Sequence, residues 1–271
     1  MIKTRIVSLP YLVWMAIFIV APLVMVCFYA FTTPDGALTF DNLSGLGRYM
    51  PVFTRSIWLA AIATVICLVL AFPLAFIISR MSESKQSMML LFLLLPMWMN
   101  FLLRTYAWMS LLENNGLINR LLGLVHLGPF QMINTQGAVV LGMVYNYLPF
   151  MILPLYSVMT KIDNSIIEAA EDLGAGRLGV ISRVLVPLSM PGITTGIIMV
   201  FVPSISTFII SRMLGGGDTL LVGDLIEMQF LGNAYNPHLG SAMALVLMVL
   251  VLLFMSLTGT SSDEEMEDML I

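Results

Sequence analysis

Charge is the scarcest feature of this sequence. Only 10% of its 271 residues are Asp, Glu, Lys or Arg, where a soluble domain of this length carries roughly 25%. Hydrophobic residues make up 59%. A water-soluble fold cannot hide so much apolar surface, so lipid must solvate much of the chain. The net charge of −4 gives no sign of nucleic-acid binding. Cysteine is nearly absent: Cys27 and Cys67 both lie in apolar runs without metal-ligand spacing and read as small buried hydrophobes. The two histidines, His126 and His238, fall in predicted outer loops with no metal constellation around them. The dipeptide Gly-Lys never occurs, so a phosphate-binding loop is excluded. No His/Asp/Glu cluster, Ser–His pair or metal motif lies within reach of an apolar run, which leaves an embedded enzyme without reacting groups. The 23 methionines are scattered and read as soft filler between helices rather than as metal carriers.

What the sequence does contain is long apolar runs. A helix rises about 1.5 Å per residue, so crossing a hydrocarbon core of about 30 Å takes about 20 apolar residues. Six segments meet that length: Pro10–Phe31, Ile57–Ile78, Met88–Leu112, Gly137–Met159, Gly192–Ile210 and Leu239–Leu257. The first exceeds a signal-peptide core and is followed by no small-residue cleavage site, so it reads as a retained anchor. The expected fold is all-α, a polytopic membrane protein with six transmembrane helices. Residues 1–56 hold the anchor and first outer loop, 57–258 a core of five spans, and 259–271 an acidic tail. Five of the sixteen acidic residues crowd into that tail.

Orientation follows Lys and Arg in the loops. With the N-terminus inside, Lys3, Arg5, Arg80, Lys85, Lys161, Arg177 and Arg183 are cytoplasmic, against Arg48, Arg55, Arg120 and, at a border, Arg212 outside. Seven against four places both termini in the cytoplasm. Pro73, Pro96, Pro149, Pro154 and Pro203 fall within spans, where each removes a backbone donor and bends its helix.

Between the fourth and fifth spans, Thr160 to Pro191 is neither lipid-like nor disordered in composition. Asp163, Asn164 and Ser165 are helix-starting residues, and Ser165 with Glu168 fits a capping box. Ile166, Ile167, Ala170 and Leu173 recur at helical spacing as one apolar face, and Gly174 supplies a stop. A second amphipathic piece carries Leu178, Ile181, Val184 and Leu185 on one side, Arg177 and Arg183 on the other, and ends at Pro187. The pattern predicts a helix–turn–helix on the inner surface. A loop that specifies its own structure is suited to a partner.

Glu168-Ala169-Ala170, Gly174 after three residues, and Val184-Leu185-Val186-Pro187 after nine more resemble the EAA loop of binding-protein-dependent ABC importer permeases of type I. Val184 and Val186 replace that pattern's Ile and Leu. The resemblance implies the type I ABC importer permease fold and a coupling element that docks in a groove on an ATPase. Ala169, Ala170 and Gly174 would allow close approach, Glu168 would make polar contact or only cap its own helix, and Pro187 would close the motif. It also implies no cofactor on this chain, with ATP and Mg on the partner ATPase. The partners implied are a second permease, two ATPase subunits, an external substrate-binding protein and membrane lipid.

Four further runs are similar to the permeases of spermidine/putrescine importers, and more to the first permease of their pair: Leu102-Leu103-Arg104-Thr105-Tyr106-Ala107-Trp108, Asn115-Gly116-Leu117-Ile118-Asn119, Gly142 to Phe150, and Leu214-Gly215-Gly216-Gly217. The implied solute is a polyamine, several ammonium groups on an apolar stem. Such a path needs carboxylates or carbonyls, and aromatic faces for cation–π contact. Tyr106, Trp108, Tyr145 and Tyr147 either line it or anchor span ends at the interface. In the outer loop, Asp218 is placed to cap a helix over Thr219–Phe230. Asp224 and Glu227 would then share a face about 5–6 Å apart, either to receive an ammonium or as a solvated edge. Arg104 is the charge deepest in a span, where it costs about 2.5–3.5 kcal/mol on insertion scales. It is expected to be structural, paired with Glu113, Glu227 or freed carbonyls. Gly215, Gly216 and Gly217 read as a hinge or a tight helix exit.

Two alternatives stand beside this reading: an ABC permease for another small solute, and a secondary transporter. The latter commonly places Asp or Glu within its spans, and none is evident here.

Overall fold

The computed structural model describes residues 10–232 and 234–268, with the side chains of 218 and 260–268 excepted. In chain order the helices are α1 (Pro10–Ala30), α2 (Met50–Ser79), α3 (Glu83–Leu94), α4 (Phe101–Leu112), α5 (Leu117–Leu124), α6 (Gln136–Met159), α7 (Asn164–Asp172), α8 (Arg177–Leu188), α9 (Met190–Ser206), α10 (Ile209–Leu214), α11 (Val222–Leu231) and α12 (Pro237–Asp268). Among the described residues the only bridge of strand type joins Thr32 and Leu38. The fold is that of an all-α polytopic membrane protein. Four helices are long and apolar enough to cross a bilayer, and six spans result when each of two bent pairs counts as one.

Those bends correct two expected spans. Met88–Leu112 is not a straight helix: α3 runs on through a 3₁₀ turn, Leu95–Trp98, and the chain then turns by 87° into α4. Pro96 withholds a donor from the first piece. Asn100 starts the second, its side chain accepting from Leu102 N–H at 2.8 Å and Leu103 N–H at 3.4 Å. The fifth span ends at Ser206, because Thr207 takes an extended conformation before α10 begins. At its other end α9 meets α8 at 72°. The helix that holds the second span begins at Met50, ahead of the apolar run from Ile57. Helix α12 carries the backbone of the acidic tail as far as Asp268.

Lipid tails are as apolar as leucine, so close packing rather than escape from water joins these helices. On α2, Ala60, Ala63, Cys67, Ala71 and Ala75 form a fully buried stripe of small side chains at three- and four-residue spacing. Its inner half packs with Met151, Ile152, Leu155 and Met159 of α6. Helix α9 approaches the same helix through Gly192 and Gly196, where an added Cβ would lie 3.0 Å from the Pro154 carbonyl oxygen and 2.5 Å from the Met151 sulfur. Hydroxyls within spans return their donors to the preceding turn, as Thr64 does to Ala60 O at 2.7 Å and Ser204 to Val200 O at 2.6 Å.

Helix α1 stays outside this core and lies along α12. Its junction explains His238, which sits in the first turn of α12 rather than in a loop. The imidazole Nδ1 lies 3.1 Å from Tyr29 O, and its ring meets Tyr29 edge-on at 5.2 Å. The same end of the bundle holds Ser56, whose hydroxyl accepts from Val222 N–H at 2.9 Å. The opposite end joins Arg80 and Gln86 to the α6–α7 corner, so the loops expected inside and outside fall on opposite ends.

Candidate functional site

The predicted inner helix–turn–helix is formed. Asp163 caps α7, its Oδ1 accepting from Ser165 N–H at 2.9 Å, and this bond holds the carboxyl below the usual carboxylate range. The expected Ser165–Glu168 capping box is therefore not the cap. With Asp163 at the N-cap, Ser165 is the second helical residue, Ile166 holds the third position that a capping box needs, and Glu168 lies two residues beyond it. Glu168 is exposed and free of that local duty.

At the other end, Gly174 takes φ +83°, a left-handed conformation that suits glycine. Its N–H donates to Glu171 O at 2.8 Å and Ala175 N–H donates to Ala170 O at 3.0 Å, a complete Schellman stop. The chain then turns into α8, which contains a π-type turn, Ile181–Leu185, and closes through Pro187.

The apolar face divides in two. Ile167 and Ala170 pack inward against Val180 and Leu185. Leu173 and Leu178, read as members of the apolar faces, stand 89% and 82% exposed at the tip. Ala169 and Gly174 are also exposed, as is Pro187 at the other end of α8. The result is a stiff knuckle with an apolar tip and a flank of Glu168, Glu171 and Asp172.

Beyond the far end of α9, the second candidate region is a cleft of about 220 Å³ lined by Phe101, Tyr147, Pro203, Ser206, Thr207, Phe208 and Ile209. It exists because α9 stops there. The Pro203 carbonyl has lost its helical partner and accepts instead from Tyr147 Oη at 3.4 Å. Of the four aromatic candidates, Tyr147 alone lines this cleft. Trp108 and Tyr145 pair with each other edge-on at 5.3 Å, and Tyr106 is exposed on α4. Phe101 and Phe208 join the site without having been singled out, since only the two helix breaks bring them together.

The outer carboxylates are arranged differently from the expectation. The helix is Val222–Leu231, and its first turn is closed by Asp224, whose Oδ2 accepts from Leu221 N–H at 2.8 Å. Asp218 was expected to cap this region, but its side chain lies outside the described residues. Asp224 is fully buried, and burial raises its carboxyl above the usual range. Glu227 is held by Arg212, whose Nη1 donates to Oε1 at 3.2 Å and whose Nη2 also bonds the carboxylate. Arg212 Nε also lies 3.9 Å from Asp224 Oδ1. The pair is thus already occupied by a cation of the chain itself. Loop composition concealed this, because Arg212 belongs to α10 and not to the loop that carries the carboxylates.

Arg104 is buried, as a charge within a span should be, but not by the expected pairing. Glu227 belongs to Arg212 and Glu113 is exposed. The Arg104 guanidinium lies 5.9 Å from the Phe101 ring centroid, and its Nε has no hydrogen-bond partner among the described residues. Gly215–Gly217 form a tight turn after α10, and Asn134 N–H donates to Leu214 O just before it at 2.9 Å.

Comparison with known proteins agrees with this architecture. The chain is 37% identical over 254 residues to the spermidine/putrescine transport system permease protein PotB of Haemophilus influenzae, covering 89% of this chain and 87% of that one. It is 35% identical over 249 residues to the protein of the same name from Escherichia coli, covering 88% and 90%. A bacterial ABC transporter involved in the import of the acidic polysaccharide alginate superposes with a TM-score of 0.81 at 17% identity, covering 97% of this chain and 95% of that one. Residues 4–261 match the model of the binding-protein-dependent transport system inner membrane component. This match, over nearly the whole chain, shows that it belongs to the family of binding-protein-dependent transport system inner membrane components.

Proposed function

We propose that this chain is the non-catalytic permease subunit of an ABC importer that moves polyamines, spermidine or putrescine, across the cell membrane. It pairs with a second homologous permease. Two ATPase subunits dock beneath, holding ATP and Mg, and an external binding protein delivers the solute. Both termini face the cytoplasm.

The observation that carries the reading is the knuckle, whose leucines at 89% and 82% exposure have no covering surface among the described residues. Glu168, Ala169, Ala170, Gly174 and Pro187 form or flank the surface that meets the ATPase. A cationic cargo suits the far cleft. The carboxyl end of a helix carries partial negative charge, and half-helix ends within membranes coordinate cations. Tyr147, Phe101 and Phe208 add aromatic faces for ammonium groups. Trp108, Tyr145 and Tyr106 extend this aromatic surface along α4 and α6. Asp224 and Glu227 serve the pathway indirectly, by fixing α11 through Arg212, and Arg104 serves the packing of α4.

A second reading, another small solute, draws on the alginate transporter: its cargo is an acidic polysaccharide, so this fold does not prescribe a cation. The test is co-purification with the candidate ATPase and binding protein, then ATPase stimulation by a panel of polyamines and amino acids. The expected result is stimulation by spermidine or putrescine. Stimulation by a different solute alone would overturn the cargo and leave the permease assignment.

A further inference from the structure

Helices α2 and α3 meet in a short turn beside the knuckle, and two side chains of that turn are tied to the α6–α7 corner. Arg80, at the C-cap of α2, donates through Nη1 to Ile162 O at 2.9 Å and to Asn164 Oδ1 at 2.6 Å. Asn164 is the first residue of α7, so this bond reaches the root of the knuckle. The guanidinium rests over Phe76 at 5.3 Å from the ring centroid, while Nε and Nη2 are buried with no hydrogen-bond partner among the described residues. Burying two charged donors unsatisfied is unfavourable. The side chain keeps that position because its remaining donor reaches two acceptors.

Gln86 makes the second tie. Its amide donates to Ser79 O at 3.2 Å and Met81 O at 2.8 Å, closing the carbonyl end of α2. Its Oε1 accepts from Tyr156 Oη of α6 at 2.7 Å. The turn is therefore held at 156 through Gln86 and at 162–164 through Arg80, on both sides of the bend from α6 into α7.

From this turn the chain runs through α3, bends at Met99–Asn100 and enters α4, which carries Tyr106 and Trp108. The knuckle is covalently joined only to α6 and α9. Its motion reaches α2 and α3 through apolar packing or through these polar ties.

Resting on the coupling reading above, we propose that the Ser79–Gln86 turn is a transmission joint, with Arg80 and Gln86 as positioning residues that carry knuckle movement to α2 and, through α3, to the α4 side of the pathway. Arg80 binds neither ATP nor solute. It makes the knuckle and α2 move as one body.

The test uses the full complex in liposomes with spermidine as the probe, read as spermidine imported per ATP hydrolysed, with ATPase docking measured separately. Arg80→Ala is expected to lower that ratio about tenfold or more, the effect of losing a charge-assisted hydrogen bond, with docking retained. Arg80→Lys recovers part of it, since an ammonium keeps one of the two acceptors. Asn164→Ala and Tyr156→Phe, which leave the fold's apolar contacts alone, lower the ratio a few-fold each. An unchanged ratio in Arg80→Ala overturns the proposal. So does an unchanged ratio in both milder variants, should Arg80→Ala fail to fold. A chain of unaltered sequence that docks no ATPase refutes the coupling reading itself and this proposal with it. Docking and coupling in the unaltered chain, matched by the variants, refute the joint alone.

Discussion

Arg212 forks onto Glu227, Nη1 on Oε1 at 3.2 Å and Nη2 on Oε2, while its Nε faces the buried Asp224 at 3.9 Å. One guanidinium thus serves two carboxylates of unequal exposure and fastens α10 to α11. The two halves differ in weight. Glu227 is 23% exposed and Arg212 47%, so their attraction is largely screened by water. Asp224 is fully buried; Leu221 N–H meets its Oδ2 at 2.8 Å, and Arg212 is the cation beside its Oδ1. Glu227→Gln is expected to lower stability by under about 1 kcal/mol, and Arg212→Ala by about 1–3 kcal/mol because a buried carboxylate loses its counter-charge. Thermal unfolding in detergent measures both. Equal losses would show that Asp224 does not depend on Arg212.

The pH response of this cluster has two opposite parts. Burial raises Asp224, so the folded chain binds its proton more readily than the unfolded chain does. Its unfavourable contribution is present above the raised folded value and fades as pH falls towards the ordinary carboxylate range. Arg212's hydrogen bond depresses Glu227, so that contribution is present above the ordinary range and is lost as pH falls through its lowered folded value. Mild acidification is therefore expected to raise the melting temperature slightly before stronger acid lowers it. Asp224→Asn should abolish the rise. Persistence of the rise in that variant would assign it to another group.

Gly174 sits at φ +83° with nothing within 4 Å of a built Cβ. Substitution there is opposed by backbone strain alone, about 1–2 kcal/mol for a residue forced left-handed. Gly174→Val is expected to leave the chain inserted but to reduce ATP-driven uptake, because the knuckle's turn opens. Gly174→Asn, which tolerates that conformation, should retain most activity. Equal uptake by both variants would remove the turn's geometry from the coupling argument.

Gly223 presents the opposite case. A Cβ there would lie 2.4 Å from Ser206 O and 2.6 Å from Thr207 O, so α11 rests directly on the break that ends α9. Backbone cannot yield as a flexible side chain can. Gly223→Ala is expected to displace α11, disturb the cleft at Thr207 and Phe208, and lower uptake while ATPase docking at the far end stays intact. Unimpaired uptake would separate α11 from the pathway.

Asn100 tests the bend between α3 and α4. Its side chain accepts two N–H groups of the first turn of α4. Asn100→Ala is expected to destabilise the chain by about 1 kcal/mol, and Asn100→Asp by much less, since a carboxylate accepts the same donors. Thermal unfolding of the two variants decides it.

Several features were fixed by local pattern. Long apolar runs marked the spans because bilayer thickness dictates their length. Gly174 marked the end of α7, since few residues besides glycine accept its dihedral angles readily. Asn100 before an apolar run also carried a local helix-start signal, but it lay inside what composition presented as one continuous span. Hydropathy registers burial in lipid and not direction, so an 87° turn within an apolar run leaves it unchanged.

Pairings between distant residues followed another rule. Arg212 finds Glu227 across the α10–α11 turn, Arg80 reaches Asn164, and Tyr147 meets the carbonyl of Pro203 only because α9 stops beside α6. The sequence by itself determined that this chain lives in a membrane, which of its runs are long and apolar enough to enter one, and where α7 ends, because each depends on neighbours within a few turns of helix. Tertiary structure alone decided which carboxylate is neutralised, which aromatics share a cleft and which arginine holds the knuckle to α2. Those outcomes depend on how bent helices pack, and in lipid that packing is set by side-chain shape over contacts far apart in the chain.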